Sequence, residues 1–99
     1  MKLPKTVKVG ACNYTIKELV IDSDDDFVGR CHPNQQLIEI DKRLPQDKKL
    51  QTLLHEVIHA ICYEYGNLKI NDNTVDILAT SIITFLRNNP KVLKLIKLN

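Results

Sequence analysis

The spacing of apolar positions changes near Pro45. Before it, short segments alternate with a period of two. Thr6-Val7-Lys8-Val9 reads as a strand, Gly10-Ala11-Cys12-Asn13 as turn residues and residues 14–20 as a second strand. Residues 27–32 form a third strand that turns at Pro33-Asn34, and residues 36–41 return with Ile38 and Ile40 on the core face. The acidic run of residues 22–26 reads as an exposed loop, lacking the glycine and distal glutamate of an EF-hand calcium loop. The expected sheet, over about residues 6–41, has three or four strands and is mostly antiparallel.

After Pro45 the period becomes that of a helix. Leu50, Leu53, Leu54, Val57, Ile58 and Ile61 mark a helix over about 46–65, begun by Pro45 and ended near Gly66. Asn71-Asp72 offers caps for a second helix over about 72–87, with a stripe of Val75, Leu78, Ala79, Ile82 and Leu86. Asn89-Pro90 breaks it, and residues 91–98 read as a last short helix. Strands first and helices after predict an α+β fold in one domain spanning residues 1–99.

Composition narrows the classes of function. Of 99 residues, 43% are hydrophobic and 26% charged, which suits one small globular core and excludes a disordered chain. The net charge of +2 provides no strong field, so neither nucleic acid nor a membrane surface is an expected partner. Lys2, Lys5 and Lys8, and Lys91, Lys94 and Lys97, read as solvated surface. No apolar run reaches the roughly 18–20 residues of a membrane span, and no apolar segment follows the first lysines to make a secretory signal. Three scattered cysteines, Cys12, Cys31 and Cys62, make a poor disulfide framework and point to a reducing cytoplasm.

The chemistry is concentrated in His55-Glu56-Val57-Ile58-His59. Histidines four apart lie one turn above each other on the same side of a helix, so both imidazoles reach one ion. Neutral imidazole suits zinc, and Glu56 is placed to take a proton from water that the ion acidifies. A catalytic zinc wants a third protein ligand. The metzincin continuation is excluded, because Cys62 and Tyr65 stand where its glycine and histidine would be. Cys62 lies near the histidines but suits a small core filler better. On the second helix Asp72 and Asp76 both border the apolar side, at about 60° and 100° from Val75. Asp72 suits a helix cap, which leaves Asp76 as the expected ligand.

These residues carry a resemblance. HEVIH followed by Asp76-Ile77-Leu78-Ala79 looks like the compact gluzincin pattern of a zinc motif and an acidic-x-x-Ala element on the next helix. The chain is similar to minimal gluzincin peptidases and to short ImmA/IrrE-like metallopeptidase proteins of phages and prophages. Residues 29–41 and Arg87-Asn88-Asn89-Pro90 share that likeness. The resemblance implies a zincin-like fold, His55 and His59 as zinc ligands, Glu56 as general base and Asp76 in the place of the third ligand, usually a glutamate. The shorter aspartate requires closer helices or a bridging water.

The function so implied is a cytoplasmic, phage- or prophage-encoded zinc metallopeptidase acting on a peptide or protein. A second reading is a phage binding or regulatory module in which zinc mainly staples the fold. Substrate is expected to lie along an edge strand, either residues 27–32 or 36–41. Tyr63, Tyr14 and His32 are the candidates for stabilising the developing oxyanion.

Overall fold

Gly10 and Ala11 form a two-residue reversal between β1 (Thr6–Val9) and β2 (Cys12–Leu19), with Gly10 at a left-handed φ of +59°. The computed structural model describes residues 2–22 and 27–97. Residues 23–26 of the acidic run, and Leu98 at the end of the expected last helix, lie outside the described residues. β3 (Gly29–His32) passes through a 3-10 turn at Pro33–Gln35 into β4 (Leu37–Asp41), with Gln36 left-handed at φ 49°. Three helices follow: α1 (Gln46–Glu64), α2 (Asp72–Asn88) and α3 (Pro90–Lys97). The α+β order is as the apolar pattern predicts.

The sheet order is β1-β2-β4-β3. β1–β2 and β3–β4 are antiparallel, but β2 and β4 run parallel, with Ile16 opposite Ile38 and Glu18 opposite Ile40. The sheet is therefore mixed: two of its three pairings are antiparallel, as the mostly antiparallel expectation has it, and the β2–β4 pairing is parallel. The chain leaves β2, places β3 at the far edge and returns through β4, so sequence neighbours β2 and β3 are not spatial neighbours. β4 is buried between two partners and β3 is left as an edge.

One face of the sheet carries the core. Val9, Tyr14, Ile16, Ile38 and Ile40 pack with Leu53 and Ala60 of α1. Tyr14 is fully buried, and its hydroxyl donates to Glu64 Oε2 at 2.6 Å, pinning the end of α1 to the sheet. The buried line on α1 is Thr52, Leu53, Glu56 and Ala60. The expected stripe is rotated: Leu54 and Ile58 are half-buried, Ile61 is exposed and a glutamate faces inward. On α2 only Val75 and Ala79 are buried, whereas Leu78 and Ile82 of the expected stripe are exposed. Lys2, Lys5, Lys8, Lys91, Lys94 and Lys97 are all exposed, as their spacing predicts.

The passage from β4 to α1 is fixed by a charged clamp. Arg43 donates from Nε to Asp41 Oδ1 at 2.9 Å and from Nη2 to Asp41 Oδ2 at 2.6 Å. Its main-chain N–H also donates to Oδ1, and Nη2 donates to the Ile21 carbonyl. Hydrogen bonds from Arg43 hold the buried Asp41 carboxyl well below the usual carboxylate range. The folded chain thus binds this proton less readily than the unfolded one. Its stabilisation is complete above the ordinary aspartate pKa of about 3.9 and drains as pH falls below it. Thermal melts from pH 6 to 2 are expected to show a steeper acid loss of Tm for the parent than for Asp41→Asn, whose slope flattens. Equal slopes would exclude the clamp as an acid-sensitive element.

Candidate metal centre

α1 and α2 lie antiparallel, joined by the seven residues 65–71. Contacts between them fall one turn apart: Gln51 donates to Thr80 Oγ1 at 2.9 Å, His55 meets Asp76, and His59 meets Asp72. Ala79, fully buried, lets the helices approach. Asn71 is the helix cap, its Oδ1 accepting from Thr74 N at 2.8 Å. That corrects the expectation of Asp72 as the cap and leaves the Asp72 carboxylate for other contacts.

Those contacts are with both histidines. Asp72 Oδ1 lies 2.9 Å from His59 Nε2 and 3.2 Å from His55 Nε2. The two rings stand 4.9 Å apart at 61°. Ligating atoms of His55, His59 and Asp72 all fall within 4.8 Å of one another, a spacing that a metal ion can span. Two neutral imidazoles and one carboxylate are also a donor set that divalent transition metals accept. Hydrogen bonding with His59 and His55 holds the Asp72 carboxyl below its usual range. The spacing of these atoms is compatible with a cation held among them.

Asp76, the sequence-expected ligand, sits on the other side of the His55 ring. Its Oδ1 lies 2.6 Å from His55 Nδ1. A carboxylate accepting from Nδ1–H fixes the ring orientation and leaves the Nε2 lone pair facing His59 and Asp72. Cys62 is half-buried and is not part of the cluster found among the described residues.

Glu56 lies beneath this group. It is 7% exposed, and its Oε2 is 4.0 Å from His55 Nε2. Burial raises its pKa, against the pull of the two imidazoles, so the carboxylate is more basic than one in water. β3 crosses directly over it at Gly29. A Cβ there would come within 2.5 Å of Thr52 Cγ2 and 3.1 Å of Glu56 Oε2, so only glycine lets the strand pass this close. Gly29 is a site residue whose role the sequence reading missed; an isolated glycine opening a strand was the available signal.

A groove of about 470 Å³ opens along β3, with Phe27, Val28, Lys48 and Gln51 leading to His55 and Glu56. A second recess, shared by Glu56, His59, Tyr63, Leu68 and Lys69, lies beyond it. Tyr63 donates from its hydroxyl to Asn34 Oδ1 at 2.9 Å and borders this recess. His32 lines the groove, with Nε2 at 2.7 Å from Glu39 Oε1. Tyr14 is excluded as an oxyanion stabiliser, because it is wholly buried and engaged by Glu64. Burial first, and the charge of Glu56 next, push the Cys31 thiol up to about 12, which keeps it protonated at neutral pH. All three cysteines are free thiols.

Comparison with known proteins returned no matching family model, no matching curated protein and no matching solved structure. Among the described residues no helix is long and apolar enough to cross a membrane.

Proposed function

We propose that this chain is a small zinc metallopeptidase of the gluzincin-like HExxH type, with a zincin-like fold. The observation that carries the reading is the convergence of His55, His59 and Asp72 beside a buried Glu56, where the groove along β3 meets the second recess. His55, His59 and Asp72 would hold the zinc, replacing Asp76 as the expected third ligand, and Asp76 orients His55. Bound there, zinc supplies acidification of water and polarisation of a carbonyl.

The chain's own residues provide the remainder. Among the described residues β3 has a strand partner on one side only, and an extended peptide or protein segment would add on the other side as a further strand. Of the two strands that the sequence leaves open, this reading takes β3 as the one that receives substrate. Glu56 accepts the proton of the attacking water and passes it to the leaving amine, a task suited to a carboxylate whose pKa burial has raised. Tyr63, which shares a recess with Glu56 and His59, is better placed than Tyr14 to donate to the carbonyl oxygen. Free thiols favour a reducing cytoplasm, and the likeness to phage and prophage peptidases belongs to the same proposal.

A second reading is favoured by the ligands coming from two helices. An ion held by His55 and His59 of α1 and Asp72 of α2 would staple α2, which packs chiefly on α1, in a binding or regulatory module. Zinc titration followed by incubation with a random peptide library separates the two. One bound equivalent with chelator-sensitive cleavage is the expected result. Binding with a raised Tm and no cleavage would leave the staple, and failure to bind zinc would remove both readings.

A further inference from the structure

The solvent side of α2 is built unlike an ordinary surface helix. With Val75 at 0°, its charged residues Asp72, Asp76 and Arg87 all fall between about 60° and 120°. The sector from about 180° to 340° holds Ile77, Leu78, Ile82 and Phe85 with four uncharged polar residues, and not one charge. Ile77, Leu78, Ile82 and Phe85 are 40–58% exposed there. α3 adds Leu95 and Ile96, at 66% and 63%, and buries no residue of its own. A helix of eight residues does not hold its conformation unaided, so α3 calls for cover.

We propose that this face of α2, extended by α3, joins two copies of the chain in a two-fold symmetric dimer. The four large apolar side chains on α2 leave on the order of 400 Å² exposed, and Leu95 and Ile96 of α3 bring the exposed apolar area to about 600 Å², against the roughly 800 Å² per partner of a standard interface. The apolar positions Leu78, Ile82 and Phe85 step by four and then three, the spacing of a seam between paired helices. Ser81 is small and lies midway between Ile77 and Phe85. An antiparallel mate centred on it sets Phe85 of each copy over Ile77 and Leu78 of the other, the reciprocity a two-fold interface demands. The lack of charge avoids like-charge repulsion when the face meets itself. Asp72 and Asp76 lie on the opposite side of the helix, so the dimer leaves the groove open.

Sedimentation equilibrium on the full chain, with zinc and separately with chelator, is expected to give a dimer in both at tens of micromolar. Ile82→Asp and Phe85→Asp, both at exposed positions, are expected to weaken association at least about 100-fold with an unchanged circular dichroism spectrum. Ser81→Cys is expected to form an intermolecular disulfide between its two copies on mild oxidation. A parent chain that stays monomeric at 100 µM overturns the proposal, as does association unaffected by either aspartate. Monomeric chain that instead sediments with phosphatidylserine vesicles, and loses that with Ile82→Asp, assigns the face to a membrane and also overturns it.

Discussion

Replacing Glu56 by Gln is expected to lower kcat/KM for peptide cleavage by about 10²–10⁴-fold, the range a positioned general base contributes. Zinc content should remain at one equivalent. The amide has nearly the volume of the carboxylate, so the packing beneath Gly29 and beside Thr52 is kept. It has no lone pair basic enough to accept the proton of water. Glu56 is also the one charged group among the four buried residues of α1, and desolvation there disfavours its ionised form. Removing that charge from a buried position should hold Tm steady or raise it. Loss of turnover with Tm kept identifies a functional group rather than a structural one. The measurement is steady-state kinetics on one cleaved peptide beside metal analysis of the same samples. Cleavage above one-tenth of the parent rate would show that Glu56 does not handle the proton.

The helical period and the His55–His59 spacing were legible in the sequence because both depend on local geometry. Apolar residues recurring at three and four mark a helix wherever it docks, and histidines four apart share a side of any helix. The mixed sheet was less legible, since β2 and β4 pair across an intervening strand and nothing in either segment names its partner. Glu56 illustrates a different limit. Apolar patterning assigns a glutamate to the outside, and here it occupies the inward line with Leu53 and Ala60. Departures of this kind are expected where a site overrides packing. The exposed Leu78 and Ile82 are the reverse case: apolar spacing identified them as covered, and the single chain does not cover them.

Helix register decides which acid of α2 faces which histidine, and it yields the second large effect. A short connection makes α1 and α2 antiparallel, so the first acid of α2 meets the last histidine of α1 and the next acid meets the histidine one turn back. Angles around one helix place Asp72 and Asp76 almost equally; only the pairing between helices separates them. Asp72→Asn is expected to weaken zinc binding well beyond 100-fold, because the anionic oxygen facing both Nε2 atoms is replaced by a neutral amide. Asp76→Ala should cost about 10–100-fold, the usual effect of removing the partner that orients a ligating histidine. Asp76→Asn should recover most of that loss, since its carbonyl oxygen still accepts from His55 Nδ1–H. Competition titrations with a chromophoric chelator read all three affinities. If Asp76→Asn were to fail as badly as Asp72→Asn, the charge of Asp76 would be a requirement for holding the ion, and the assignment of Asp72 as third ligand with Asp76 as orienting partner would fall.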